Sequence, residues 1–183
     1  RVGVQPGEGV VVLGLGPIGL MAGMWAKLSG ARFLFGVEVD ERKFPLAKKV
    51  GFDEVVHPAF LGWSEAPEVV IEASGNRKAL LAALALVRKK GRVLFLGNQE
   101  EEVTLSPRDF SQILRKELLL VGSWNSGFSR LDSDWKQVLH MEREGRISFL
   151  PLISHRISLA EAPAVLEAMY RKTLLYTKVI IEP

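Results

Sequence analysis

The sequence predicts an α/β fold: a doubly wound, parallel sheet of six strands, followed by a C-terminal return segment. Two observations carry the strands and helices. Short Val/Leu/Ile/Phe-rich runs near 9–13, 32–37, 53–56, 68–72, 92–96 and 118–122 alternate with helical patterns near 17–29, 41–50, 76–89, 108–116 and 132–144. The runs are mostly continuous, as strands buried on both faces of a parallel sheet require. A third observation carries the winding. The turn Gly14-Leu15-Gly16-Pro17-Ile18-Gly19 stands between the first strand and the first helix, and Glu38 closes the second strand.

In order, Val10 to Leu13 lead into the glycines, and a helix-like stretch from Leu20 to Ser29 leads out. Gly14 permits the tight turn, Gly16 lets a pyrophosphate approach the backbone, and Gly19 allows close packing of helix on strand. Pro17 suits the first helical position, where its missing N–H costs nothing. The helix N-terminus offers free N–H groups and partial positive charge to phosphates. Glu38 follows Gly19 by nineteen residues, close to the usual spacing of about 20. Its carboxylate can accept from ribose hydroxyls and would repel a 2′-phosphate, which favours NAD over NADP. This is a Rossmann dinucleotide-binding unit in residue order. The alternative is a glycine-rich turn with Glu38 as a solvated strand-end acid.

Gly30, Gly51, Gly91 and Gly145 stand just after four of the helical patterns, at or near the C′ stop. Pro45 fits a second helix that begins near Arg42. Right-handed crossovers then give the order 3-2-1-4-5-6. One crossover is short: residues 57–67 must span three strand spacings, roughly 14 Å, and return along a strand of roughly 17–20 Å. As a helix they reach about 16 Å; extended they reach about 36–40 Å. An extended connection is therefore expected. After Gly145 the pattern changes. Phe149 to Ile153 reads as extended, Ser158-Leu159-Ala160-Glu161 as a capping box opening a helix to about Tyr170, and Tyr176 to Ile181 as a last strand.

Composition excludes much. The chain has 183 residues, 48% hydrophobic and 25% charged, with net charge +3, ordinary for a globular domain. The densest basic runs, Arg88-Lys89-Lys90 and Arg115-Lys116, end helices, where cations suit the dipole, so no nucleic-acid partner is expected. There are no cysteines, so neither a disulfide nor a Cys-ligated metal resides in this chain. His57, His140 and His155 lack metal-like spacing. No apolar stretch approaches 18 residues, and no signal-peptide pattern is read. The expectation is a reduced, cytoplasmic setting and no membrane partner. Arg1 to Glu8 reads as the continuation of a longer chain.

Several blocks together resemble the cofactor domain and C-terminal return of the zinc-dependent medium-chain alcohol and polyol dehydrogenases. They are Val4 to Glu8, Val11 to Gly19, Val70-Ile71-Glu72-Ala73-Ser74-Gly75, Gly91 to Gly97, Leu114 to Trp124, Pro151 to Arg156 and Lys178 to Ile181. The segments Arg115-Lys116-Glu117-Leu118…Gly122-Ser123-Trp124 and Pro151 to His155 look most like galactitol-1-phosphate 5-dehydrogenases and their sorbitol dehydrogenase relatives.

The resemblance implies roles. Glu38 takes the ribose-hydroxyl position, with Lys43 beside that ribose. Ala73, Ser74 and Gly75 line the cleft; Leu96, Gly97, Asn98, Ser123 and Trp124 lie along the nicotinamide half; Lys178 approaches the pyrophosphate. Plain alternatives stand beside them: strand-end turns for Ser74, Gly75 and Gly97, a sheet-edge cover for Trp124, exposed lysines at 43 and 178, and a structural role for His155. The resemblance further implies an NAD-binding Rossmann domain over 1–148 and a segment over 149–183 that packs back on a GroES-like catalytic domain absent here. The family's zinc sits in that domain, so zinc is expected there alone. This chain supplies no catalytic residue and no metal ligand, and alone it is expected to be inactive. The parent's substrate would be a polyol or sugar phosphate. A homo-oligomer through the sixth-strand edge, about 118–130, is expected, since sheet edges need covering.

Three other readings compete. A nicotinamide-sensing regulatory module shares the strand, glycines and acid but not the 151–183 segment. A metal-free quinone reductase usually favours NADPH and lacks the acid. A methyltransferase does not fit the second-half blocks.

Overall fold

The computed structural model describes residues 1–127 and 133–183. The described chain divides into two compact units, Arg1–Ile147 and Ser148–Pro183.

The first unit is built on β1 (Gly9–Leu13), α1 (Pro17–Leu28), β2 (Phe33–Val37), α2 (Phe44–Lys49), β3 (Glu54–Val56), β4 (Val69–Glu72), α3 (Arg77–Leu86), β5 (Arg92–Phe95), α4 (Pro107–Lys116), β6 (Leu119–Gly122) and α5 (Asp134–Arg143). Among the described residues these strands form one sheet in the order β3-β2-β1-β4-β5-β6, every pair parallel. This is the doubly wound Rossmann sheet that the sequence predicts. Crossovers on both faces explain the continuous apolar runs: every residue of β1 and β4 is buried. α1 presents Gly19, Leu20, Gly23 and Ala26 inward. These small residues bring the helix close, with the Phe52 ring filling the space beside Gly23.

Helix starts follow side-chain chemistry. Asp40 caps a 3-10 turn, Glu41–Lys43, that precedes α2, so Pro45 falls within the first two positions of α2 rather than three residues into a helix from Arg42. Asn76 caps α3 by accepting from the Lys78 N–H. Ser106 and Asp109 form a reciprocal capping box on α4. α3 ends at Leu86, short of the expected 89, because Val87 turns extended. One expected stop is corrected. The left-handed residue after α3 is Lys90 (φ 60°), not Gly91. Gly91 is a steric requirement: a Cβ there would meet Val87 Cγ2 at 2.4 Å. α4 likewise stops on a left-handed Glu117, which pairs with Lys89 and Lys90.

The 57–67 connection contains a 3-10 turn, Pro58–Phe60, and then runs extended at Leu61. Leu61 and Trp63 pack against the core, Trp63 with its ring 5.4 Å from Phe35. No α-helix fits this length, and none forms there.

The second unit holds a 3-10 turn (Leu150–Leu152), β7 (Ile153–Ser158), a 3-10 turn (Leu159–Glu161), α6 (Ala162–Tyr170) and β8 (Lys178–Glu182). β7 and β8 pair in parallel. The Ser158–Glu161 capping box forms. Two boundaries move. The piece expected to be extended over 149–153 is a tight turn, with the strand beginning at Ile153, and the last strand begins at Lys178 rather than Tyr176. Ser154 causes a register shift: its hydroxyl donates to the Lys178 carbonyl (3.0 Å) and accepts the Thr177 N–H (3.0 Å).

Candidate dinucleotide cleft

The carboxyl ends of β1, β2 and β4 border a cleft of about 770 Å³ in the first unit, within the usual range for small-molecule sites. Gly14, Gly16, Glu38, Lys43, Ala73 and Ser74 line it.

The three motif glycines are required for different reasons. Gly14 has φ +91°, and a Cβ there would lie 2.7 Å from Ser74 Cβ. A Cβ on Gly19 would lie 1.9 Å from the Gly14 carbonyl oxygen. Around Gly16 no atom lies within 4 Å of such a Cβ, so nothing in this chain demands glycine there. What a Cβ at Gly16 would fill is the cleft itself. Gly16 is also the N-cap of α1, with Pro17 beginning the helix and no side chain capping it. The first-turn N–H groups are thus left for an anion. Ile18 is largely exposed beside them, at 55%.

Glu38 is buried at the end of β2. Its Oε1 accepts the N–H groups of Val39 (2.9 Å) and Asp40 (3.1 Å). Its Oε2 accepts the N–H of Leu15 (2.9 Å) and the ammonium of Lys43 (3.1 Å). Four donors fill a carboxylate's usual capacity. A ribose hydroxyl therefore enters only by replacing one, and Lys43 is the donor on a flexible stem.

The turns after β4 and β5 touch each other. Gly75 (φ +67°) has its Cβ position 2.2 Å from the Asn98 carbonyl oxygen, and that of Gly97 lies 2.1 Å from Gly75 N. Leu96 and Gly97 donate their N–H groups to the Glu72 carbonyl. Thus Ala73, Ser74, Gly75, Leu96, Gly97 and Asn98 come together at the carboxyl ends of β4 and β5.

Two expected residues of the first unit lie elsewhere. Ser123 and Trp124, just beyond β6, line a separate hollow of about 470 Å³ with Val2, Trp25 and Ala26. Lys178 opens β8 in the second unit. Of the sixth-strand flank expected as an oligomer contact, 128–130 lie outside the described residues; within β6, Leu119 and Leu120 are exposed.

Sequence reasoning passed over Glu72, His57 and Lys78. His57 and Lys78 line the cleft, and His57 Nδ1 accepts the Ala59 N–H at 3.2 Å. Glu72 is fully buried. The available signal was its position: an acid closing an apolar run, as Glu38 does. Among the described residues no group of three His, Cys, Asp or Glu side chains could hold a metal ion, and no helix is long and apolar enough to cross a membrane.

Comparison with known proteins follows the same lines. The family model for zinc-binding dehydrogenases matches residues 17–143. An L-threonine 3-dehydrogenase of Coxiella burnetii is 28% identical over 172 residues, covering 89% of this chain and 48% of the relative. A sorbitol dehydrogenase of Halalkalibacterium halodurans is 29% identical, covering 88% and 48%. The chain thus spans about half the length of the relatives it matches. A zinc-binding dehydrogenase structure from Sinorhizobium meliloti bound to NADP superposes with TM-score 0.79 at 28% identity, over 100% of this chain and 54% of that one. Galactitol-1-phosphate dehydrogenase from Escherichia coli gives 0.86 at 23%, over 99% and 55%, a likeness of fold.

Proposed function

The chain belongs to the zinc-binding dehydrogenase family, and from that premise we propose that it is the NAD-binding portion of an oxidoreductase that transfers hydride from a polyol or sugar-alcohol phosphate to NAD. The observation that carries this reading is Gly16: its missing side chain leaves open only the cleft, beside an uncapped helix N-terminus. A pyrophosphate fits both.

Each residue then has a task. The N–H groups of Ile18 and Gly19, in the first turn after Pro17, bind and orient the pyrophosphate. Glu38 and Lys43 bind the adenosine ribose, with one hydroxyl taking the place of the Lys43 ammonium. Ala73, Ser74 and Gly75 form the floor between the two halves. Leu96, Gly97 and Asn98 hold the nicotinamide end and exclude water from it. When bound, NAD supplies the hydride acceptor at nicotinamide C4.

Glu38 favours NAD, because its carboxylate repels a 2′-phosphate; the NADP bound to the Sinorhizobium meliloti relative marks the competing choice. The family's zinc does not fit the described residues of this chain, which hold no suitable cluster. Its ligands belong to the other half of the parent protein. The substrate class rests on the sorbitol dehydrogenase relative and on the residue blocks shared with polyol enzymes. The parent assembles as a homo-oligomer through the β6 edge, and this chain alone oxidises no polyol.

Titration with NADH and NADPH, followed by nicotinamide fluorescence, tests the reading. Saturable NADH binding, with NADPH weaker by about tenfold or roughly 1.4 kcal/mol, supports it. Binding of neither overturns it.

A further inference from the structure

This inference rests on the reading that the cleft holds a nicotinamide dinucleotide. In a doubly wound sheet the two mononucleotide halves lie on either side of the order reversal. The glycine turn and Glu38 place the adenosine half over β1 and β2, so the nicotinamide half lies over the ends of β4 and β5.

One residue holds both of those ends. The Glu72 carbonyl accepts the N–H groups of Leu96 (2.8 Å) and Gly97 (3.1 Å). Its carboxylate Oε1 accepts the Ser74 N–H (2.8 Å), the Ser74 hydroxyl (2.6 Å) and the Gly75 N–H (3.0 Å). Oε2 has a single long contact, Gln99 Nε2 at 3.4 Å. The side chain is 0% exposed, and it enters no ion pair among the described residues.

Hydrogen bonding accounts for one oxygen of this acid and leaves the other nearly bare. Three donors converge on Oε1, while Oε2 keeps only its long contact, so half of the carboxylate carries charge that no close donor meets. A buried carboxylate with no cation is costly, so its negative charge needs a use. The ligand offers one. The nicotinamide ring carries a positive charge when oxidised and none when reduced.

We propose that Glu72 is the counter-charge for the oxidised nicotinamide ring: acting across the 73–75 and 96–98 turns rather than by contact, it makes this chain hold NAD+ more tightly relative to NADH. It is a positioning and field-setting residue. It holds the oxidised form in place before hydride transfer and weakens the grip on the reduced product.

The test is isothermal titration of the full 183-residue chain with NAD+ and NADH separately, before and after Glu72→Gln. The amide keeps the Oε1 bonds and removes the charge. NAD+ should bind about tenfold more weakly while NADH changes less than about threefold, as a Coulomb interaction at an effective dielectric near 20 allows. Equal changes for both forms, or none, overturn the proposal and leave a hydrogen-bonding hub. If the wild-type chain binds neither form, the cleft reading fails first, and the proposal with it. Should Glu72→Gln not fold, Gln99→Lys decides, because an ammonium beside Oε2 neutralises the same charge without altering Glu72. The NAD+ to NADH affinity ratio must fall there too, and an unchanged ratio overturns the proposal.

Discussion

Glu38 Oε2 accepts the backbone N–H of Leu15 at 2.9 Å, so the acid that ends β2 is also the anchor of the glycine turn that ends β1. Spacing alone gives Glu38 one role, facing the ribose. The geometry adds a second, which precedes any ligand: the turn is already held in shape.

Glu38→Ala therefore does two things. It leaves the buried Leu15 N–H without an acceptor, which costs about 1–3 kcal/mol, and it removes the charge that opposes a 2′-phosphate. The thermal midpoint should fall, and the preference for NADH over NADPH should disappear. An unchanged midpoint would remove the anchoring role.

The glycines separate folding from binding. Gly16→Ala adds a methyl group where no atom stands within 4 Å and φ is an ordinary −69°, so the melting temperature should stay near wild type. NADH affinity should drop about tenfold or more, since the methyl occupies the pyrophosphate's approach. Gly19→Ala meets the Gly14 carbonyl oxygen at 1.9 Å and should destabilise the fold itself. Equal behaviour of the two variants would sink the distinction.

Lys116 closes a neighbouring helix. Its ammonium donates to the carbonyls of Leu84 (3.0 Å), Ala85 (2.6 Å) and Val87 (2.9 Å) at the C-terminus of α3. Burial holds its pKa below the usual lysine range. Lys116→Met keeps the stem and strips these acceptors of their donor, so a loss of about 1–3 kcal/mol is expected in denaturant unfolding. Cofactor affinity should be unchanged, because the residue is not in the cleft.

Acid should loosen the helix caps. Hydrogen bonds from the Ser106 hydroxyl and then its N–H hold Asp109 below the ordinary carboxylate range; those from the Ser158 N–H and then its hydroxyl do the same for Glu161. A carboxyl depressed in the folded state stabilises above its unfolded pKa, near 4, and that contribution is lost as pH falls through the lower folded value. Melting temperature should decline below about pH 4, and less steeply in Ser106→Ala and Ser158→Ala than in wild type. Parallel curves would show that the caps take no part.

Much of this was legible because it is local. Val10 to Leu13 and Val69 to Ile71 are continuous apolar runs because strands with helices on both faces have no wet side. The Ser158 capping box is written within four residues. The left-handed stops at Lys90 and Glu117 were not legible. Glycine is the residue that tolerates that conformation freely, and here chain geometry imposes it on charged residues that find ion pairs. Nor did the sequence show that Ser123 and Trp124 line a different hollow from the glycine turn, since this depends on how α1 covers the sheet.

By itself the sequence determined the alternation of strands and helices, their parallel order, the glycine turn and the identity of the acid after β2, because hydrophobic period, turn chemistry and spacing act over a few residues. The tertiary structure decided what those residues touch. It gave Glu38 four donors, placed Gly16 against open space while closing Gly14 and Gly19, and set Glu72 beneath two joined turns with no cation among the described residues. The contacts of Leu15 with Glu38, Gly14 with Ser74, and Leu96 and Gly97 with Glu72 link strands distant in sequence, and their distances are set by sheet order and side-chain volume together.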